Sequence, residues 1–212
     1  MKTKTIVFDL DDTLINEIEY LESAFATIAT MTDRTNQNLF DEMIYWYQNK
    51  ENVFENLIKI YPEITIESLK NIYRNHYPKF NSNTENRQLL LEIKARGHKL
   101  GLITDGFSIT QRNKIKALNI ENLFDLIIIS EEFGTEKPNE NNFKVFHQFQ
   151  TDDYYYIGDN TKKDFITPNK LGWTTICLLD NGKNIHKQNF NSDLVYLPKI
   201  SILSLYDLKK HI

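Results

Sequence analysis

Two aspartates one residue apart, Asp9 and Asp11, follow a short apolar run near the start of the chain. The run from Ile6 to Phe8 has no polar face, which is typical of a strand buried on both sides in the middle of a sheet. Because burying carboxylates without partners is costly, we expect this strand to end in a polar crevice that holds a cation. Closely spaced carboxylates suit Mg²⁺, which keeps water or phosphate oxygens at its other positions. The alternative is an acidic turn after a core strand.

Other polar residues fall at the ends of three further predicted strands. In chain order they are Thr104-Asp105-Gly106, then Lys137 before Pro138, then Gly158-Asp159 with Asp164 close behind. In parallel sheets, ligands bind outside the carboxyl ends of the strands, so these groups are expected to meet the first two aspartates. The set contains a carboxylate to attack, a second acid to move protons, a metal site and donors for transferring oxygens. It is therefore complete for phosphoryl transfer, although each piece alone is typical of a turn, a loop or a helix cap.

The elements that must position these groups alternate between strand and helix after residue 83. The predicted helices cover 84–96, 108–118, 139–149 and 162–171, and the predicted strands cover 99–104, 126–130, 154–157 and 174–179. Strands separated by single helices imply parallel pairing with right-handed crossovers, so we expect an α/β fold with a doubly wound parallel sheet. The tail predicts a polar surface loop over 180–191, a last strand over 193–197 and a closing helix over 201–211.

Residues 16–83 show a different pattern, with apolar residues three and four apart and no strand signal. We predict an all-helical cap here, inserted into a catalytic core formed by 1–15 and 84–212. Its tyrosine and phenylalanine stripes are interpreted as its own hydrophobic core. Hinges near Asn16 and Asn83 would let the cap open and close over the crevice.

Composition narrows the functional class. The chain has 212 residues, 41% of them apolar, and a formal charge of −4 from 25 basic and 29 acidic residues, which argues against nucleic-acid binding. No apolar run reaches the length of a membrane span and the N-terminus does not resemble a signal peptide, so we expect a cytoplasmic protein, monomeric or weakly dimeric, with no membrane partner. The one cysteine, Cys177, has apolar neighbours and is interpreted as an inert core thiol. Structural roles are expected for the histidines His76, His98, His147, His186 and His211.

The chain resembles the haloacid dehalogenase-like hydrolase superfamily over almost its whole length. The four motifs of that superfamily are matched in order by Asp9-Leu10-Asp11-Asp12-Thr13, Thr104-Asp105-Gly106, Lys137-Pro138, and Gly158-Asp159 with Asp164. The helical block is similar to the cap of the phosphoglycolate-phosphatase and N-acylneuraminate-phosphatase branch. The resemblance implies a Rossmann-like core and a Mg²⁺-dependent phosphatase that acts on a small phosphate monoester, such as a sugar, a sugar acid or a nucleotide.

The same resemblance implies the catalytic roles. Asp9 would attack phosphorus and become an aspartyl phosphate. Asp11 would protonate the leaving alcohol and then deprotonate the water that hydrolyses the intermediate. Lys137 would neutralise charge on the phosphate and on Asp9.

Binding roles are implied as well. Phosphoryl oxygens would be held by Thr104 and by the amides of Asp105 and Gly106, together with the lysine of the third motif. Mg²⁺ would be bound by the Asp9 carboxylate, the Asp11 main-chain carbonyl and Asp159, with Asp164 nearby or bound through water.

Three positions depart from the commonest motif pattern. Asp105 stands where an amide is frequent and adds negative charge beside the phosphate site. Thr161 stands where a proline is often seen. Thr167-Pro168 replaces a pair of small residues, and a kink is expected there. None of the three is a proposed metal or nucleophile position, so only rate and helix geometry are affected.

Other functions would use similar residues. A phosphomutase or phosphotransferase on the same scaffold would show the same motifs, and a product assay separates them from a phosphatase. A dehalogenase needs neither the second acid nor the metal site, and a response-regulator receiver carries its acceptor aspartate after a later strand. Candidate substrate contacts in the cap are Arg34, Lys50, Arg74 and the tyrosines.

Overall fold

A computed structural model describes residues 2–80 and 84–212 of the chain. Its centre is a parallel sheet of six strands in the order β3-β2-β1-β4-β5-β6. The strands are β1 (Lys4–Phe8), β2 (Lys99–Thr104), β3 (Leu126–Ile129), β4 (Asp153–Gly158), β5 (Thr174–Leu178) and β6 (Ile200–Ile202). Phe8, the last residue of β1, pairs with Leu102 on one side and with Ile157 on the other. The predicted doubly wound α/β fold is therefore confirmed, and the strand that leads into the acidic residues lies in the interior of the sheet.

Side chains along each strand alternate between the two faces of the sheet, and helices bury both faces. Ile6 and Phe8 belong to the hydrophobic cluster on one face, and Val7 belongs to the cluster on the other face. Outside residues 16–83, the helices between β1 and β5 are α5 (Thr84–Ala95), α6 (Ser108–Ala117), α7 (Ser130–Phe133), α8 (Asn141–Lys144) and α9 (Ile166–Lys170). None of the helices within the described residues is long and apolar enough to cross a membrane.

Four helices between β1 and β2 pack around a hydrophobic cluster of their own. They are α1 (Glu17–Thr32), α2 (Leu39–Gln48), α3 (Val53–Ile60) and α4 (Ile66–Asn75). Helix α4 begins with a capping box, in which the Thr65 hydroxyl accepts from the Ser68 amide at 3.1 Å. The aromatic residues Phe25 and Tyr73 pack within this cluster. We keep the name cap for residues 16–83; its status as a separate domain stays a prediction, and the predicted hinge at Asn83 lies outside the described residues.

The tail differs from its prediction. Residues 193–197 do not form a strand, because Leu194–Tyr196 is a turn of 3-10 helix and the edge strand β6 comes later. The side-chain amide of Asn169 donates to the carbonyls of Val195 (2.9 Å) and Leu197 (2.8 Å), so a side chain satisfies groups that a strand partner would otherwise bind. The predicted closing helix is the 3-10 helix Leu205–Lys210.

Two core helices are also shorter than predicted. The segment 139–149 divides into the short helix α8 and a 3-10 helix, Val145–Phe149. Helix α9 begins only at Ile166, because the chain before it folds around the side chain of Asp164. The kink expected at Thr167-Pro168 stays a prediction. Pro168 lies in the first turn of α9, where an amide has no partner within the helix, so the proline removes no helical hydrogen bond.

Candidate active site

The side chains at the carboxyl ends of β1 and β4 meet around a buried lysine. Lys137 Nζ lies 2.8 Å from Asp9 Oδ1 and 2.9 Å from Asp164 Oδ1. It also donates to the Tyr156 hydroxyl at 3.1 Å, and that hydroxyl donates to Asp164 at 3.2 Å. Burial alone would lower the pKa of Lys137, but the carboxylates of Asp164 and Asp9 raise it well above its usual value, so the ammonium stays charged.

Backbone packing fixes the position of Asp164. Its Oδ2 accepts from the amides of Asp159 (3.2 Å) and Asn160 (2.9 Å). A Cβ atom added at Gly158 would lie 2.5 Å from this oxygen, so only glycine allows the strand to approach the carboxylate this closely. Steric contact with Asp164 thus explains why the fourth motif has a glycine at position 158.

Three carboxylates form a cluster that fits a hard divalent cation. One oxygen from each of Asp9, Asp159 and Asp164 lies within 4.8 Å of the others, and all three residues are buried. Burial raises the pKa of Asp9 to about 7 despite Lys137, and burial together with Asp164 raises the pKa of Asp159 to about 9. Lys137 therefore compensates the negative charge of the cluster only in part. A set of oxygen ligands is the kind that Mg²⁺ takes.

The Asp11 carboxylate points to helix α6. Lys114 Nζ lies 2.7 Å from Asp11 Oδ1, and the Gln111 side-chain amide donates to Oδ2 at 2.9 Å. The same amide hydrogen-bonds the hydroxyl of Thr104, the buried last residue of β2. Asp11 and Thr104 thus share a partner.

The charge of Asp105 is compensated. Its carboxylate accepts from the Lys137 amide at 3.0 Å and lies 2.6 Å from Lys163 Nζ. The amide of Gly106 donates to the Ser130 hydroxyl at 2.9 Å, so in this structure it is already engaged.

A cavity of about 320 Å³ lies between these residues and the cap. Asp11 and Gly106 line it from the core, and Tyr73, Lys70 and Arg74 line it from the cap. Among the described residues, its lining thus includes one of the predicted arginine and lysine contacts and leaves out Arg34 and Lys50.

Several residues at the site lie outside the four sequence motifs. Lys114 and Lys163 lie in elements that follow predicted strands, and helical spacing after Gly106 would place position 114 toward the strand ends. Glu17 opens α1 and lines the cavity; burial and then the Asp11 charge raise its pKa to about 7. Asn184 lies in the loop predicted to face solvent, yet its side chain donates to Asp159 Oδ2 at 2.9 Å. No local pattern marks Asn184.

The cysteine and three histidines have structural surroundings. Cys177 is buried in the sheet, and burial raises its pKa to about 12, so it stays protonated. His76 hydrogen-bonds Ser23 at 2.8 Å, His98 is buried beside the first strand, and His147 packs against a tryptophan. These agree with the structural roles predicted for them.

The six-stranded parallel sheet, with carboxylates and a buried lysine at its carboxyl edge, defines an α/β protein with a Rossmann-like fold. More particularly, the family model described as haloacid dehalogenase-like hydrolase matches residues 6–178, and the chain belongs to that family. The family expected from the motifs is therefore confirmed.

Two relatives and one solved structure are similar to this chain. A glyceraldehyde 3-phosphate phosphatase of Methanocaldococcus jannaschii is 33% identical over 199 residues, covering 83% of this chain and 85% of that protein. The pyrimidine 5′-nucleotidase YjjG of Escherichia coli is 29% identical over 125 residues, 57% of this chain and 52% of its own. The crystal structure of the putative hydrolase YfnB from Bacillus subtilis, bound to magnesium, has the same fold, with a TM-score of 0.65, 18% identity and coverage of 100% and 99%. The prediction of a phosphoric monoester hydrolase is confirmed.

Proposed function

We propose that this chain is a Mg²⁺-dependent phosphatase that hydrolyses a small phosphate monoester through an aspartyl phosphate on Asp9. The observation that carries the proposal is the contact of Asp9 with Lys137 at the end of the central strand, beside the carboxylates of Asp159 and Asp164. A carboxylate nucleophile next to a fixed cation suits attack on a phosphoryl group, whose charge must be neutralised in the transition state.

The reaction has two steps. In the first, a carboxylate oxygen of Asp9 forms a bond to phosphorus, the ester bond breaks, and Asp11 gives a proton to the leaving alcohol. In the second, Asp11 takes a proton from water, the water oxygen bonds to phosphorus, and the bond to Asp9 breaks. Inorganic phosphate leaves, Asp9 is again a carboxylate and Asp11 is again the protonated acid with which the cycle began.

The remaining residues hold charge in place. Lys137 and the Thr104 hydroxyl would contact phosphoryl oxygens. Asp9, Asp159 and the main-chain carbonyl of Asp11 would hold Mg²⁺, with Asp164 bound directly or through water. When bound there, the metal would supply positive charge to neutralise the phosphoryl oxygens.

The size and charge of the cavity favour a small substrate. About 320 Å³ is at the lower end of small-molecule sites. Lys70 and Arg74 of cap helix α4 bring two cations to the lining of the cavity. The named relatives act on phosphorylated metabolites, glyceraldehyde 3-phosphate and pyrimidine nucleotides, which belong in the first panel of substrates.

The test is phosphate release from a panel of monoesters with Mg²⁺ present, including esters with and without a second anionic group. Asp9→Asn should abolish turnover while keeping the fold, and the matched change Asp152→Asn at an exposed aspartate should leave turnover intact. A phosphorylated isomer in place of free phosphate would indicate a phosphomutase. Activity retained by Asp9→Asn would overturn the assignment of the nucleophile.

A further inference from the structure

Both oxygens of the Asp11 carboxylate have partners on helix α6. Lys114 Nζ is 2.7 Å from Oδ1, and Gln111 Nε2 is 2.9 Å from Oδ2. Positions 111 and 114 are three residues apart and therefore lie on one face of the helix. With a separate donor on each oxygen, the plane of the carboxylate is fixed.

Lys114 is unusually buried for a charged residue. Its side chain is only 3% exposed, and its ammonium also lies 4.5 Å from the ring centroid of Tyr20 in cap helix α1. Buried ion pairs add little to stability, because desolvation offsets their attraction and an apolar side chain of similar size often serves as well. Packing alone does not explain a lysine here, whereas contact with a reacting carboxylate does.

Gln111 links Asp11 to the phosphate site. Its side-chain amide hydrogen-bonds both the Asp11 carboxylate and the Thr104 hydroxyl. One side chain thus sets the distance between the proposed acid/base and a proposed ligand of the phosphoryl group.

We infer that Lys114 and Gln111 are positioning residues that hold the Asp11 carboxylate in the orientation needed for proton transfer. The inference rests on the proposed function, in which Asp11 protonates the leaving alcohol and deprotonates water. It follows that changes at Lys114 slow only the steps that use this proton.

Leaving groups separate those steps. 4-Nitrophenolate leaves as an anion, so forming the aspartyl phosphate from 4-nitrophenyl phosphate needs no proton from Asp11. An alkyl phosphate needs that proton, and hydrolysis of the intermediate needs Asp11 for either substrate.

The experiment compares Lys114→Met with Lys116→Met, a change at an exposed lysine of the same helix. With 4-nitrophenyl phosphate, Lys114→Met should give a burst of one nitrophenolate per enzyme at a rate within about twofold of the unmodified protein, followed by turnover about 10- to 100-fold slower. Alkyl phosphate turnover should fall by a similar factor, and Lys116→Met should change neither. A burst slowed as much as turnover, or unchanged turnover, would overturn the inference.

Gln111→Leu provides a second variant if Lys114→Met fails to fold, which thermal unfolding would reveal. It removes the other donor to Asp11 and should lower turnover with both substrates. Because it also releases the Thr104 hydroxyl, it should slow the burst too, but by a smaller factor than turnover. If the unmodified protein releases phosphate from no monoester, the proposed function fails instead, so the two failures are distinguishable.

Discussion

The ion pair between Asp105 and Lys163 predicts that Asp105→Asn will compensate the harm done by Lys163→Met. Asp105 places a carboxylate next to the phosphate site, and Lys163 Nζ neutralises it at 2.6 Å. Burial and the Lys137 ammonium lower the pKa of Lys163, but the carboxylates of Asp9 and Asp105 outweigh them and raise it overall. Lys163→Met should therefore leave an uncompensated negative charge beside an anionic substrate, whereas adding Asp105→Asn should remove that charge again.

The structure sets the size of this effect. For charge centres about 4 Å apart and an effective dielectric constant of about 40, Coulomb's law gives about 2 kcal/mol. The Lys163 side chain is 33% exposed, so solvent screening reduces the figure to about 1 kcal/mol. Repulsion of the same size between the freed Asp105 carboxylate and an anionic substrate would lower the kcat/KM of Lys163→Met about fivefold.

Kinetics of the two single variants and the double variant, at low and high salt, would test this. The double variant should return to within about twofold of the unmodified protein, and the coupling should weaken as salt increases. Lys162→Met changes an exposed neighbour and should have no effect. If the losses of the single variants simply multiply in the double variant, the pair does not act on the phosphate site.

Three further predictions follow from other contacts. Burial raises the pKa of Asp9 to about 7 and that of Asp159 to about 9, so these carboxyl groups must lose protons before a metal binds. Calorimetry should therefore show that the affinity for Mg²⁺ rises with pH and that binding releases protons. An affinity that falls as pH rises would contradict this prediction. Asn184→Ala removes the 2.9 Å hydrogen bond to the second of these carboxylates and should weaken Mg²⁺ binding about tenfold in the same assay. Gly101→Ala would place a methyl group 2.2 Å from a buried aromatic ring and should lower the free energy of unfolding by about 2 kcal/mol in urea titrations.

The sequence was sufficient to predict those parts of the fold that follow from alternating elements. Strand β1 was recognised because its run of apolar residues has no polar face, and its position inside the sheet follows from burial on both sides. The spacing of apolar residues does not predict where a helix begins when the residues at its expected start make other hydrogen bonds. Asp164 draws the amides of Asp159 and Asn160 to its carboxylate, so helix α9 begins later than its apolar pattern suggests.

The site was predictable where topology alone brings residues together. Asp9, Thr104 and Asp159 directly follow or end neighbouring parallel strands, so the order of strands places them at one edge whatever the loops do. Lys137 lies in a loop, where strand order does not fix its position, and it was predicted from its match to the third motif, Lys137-Pro138. Lys114 had only a weak signal, since many lysines on helices share its spacing from a strand end and most of them are solvated.

Contacts made by the loop over 180–191 had no signal, and the reason is general. Its polar composition predicts exposure, yet the Asn184 side chain contacts Asp159, and the neighbouring Ile185 amide donates to Asp12 Oδ2 at 3.0 Å from 173 residues away in sequence. Polar residues are equally suited to bind water or to bind a carboxylate that is short of donors. Only the direction of the loop separates the two cases, and that direction is set by tertiary packing, here by Ile185 lying against the hydrophobic cluster of the cap. A loop that touches both the cap and the acidic cluster therefore has to be found from coordinates.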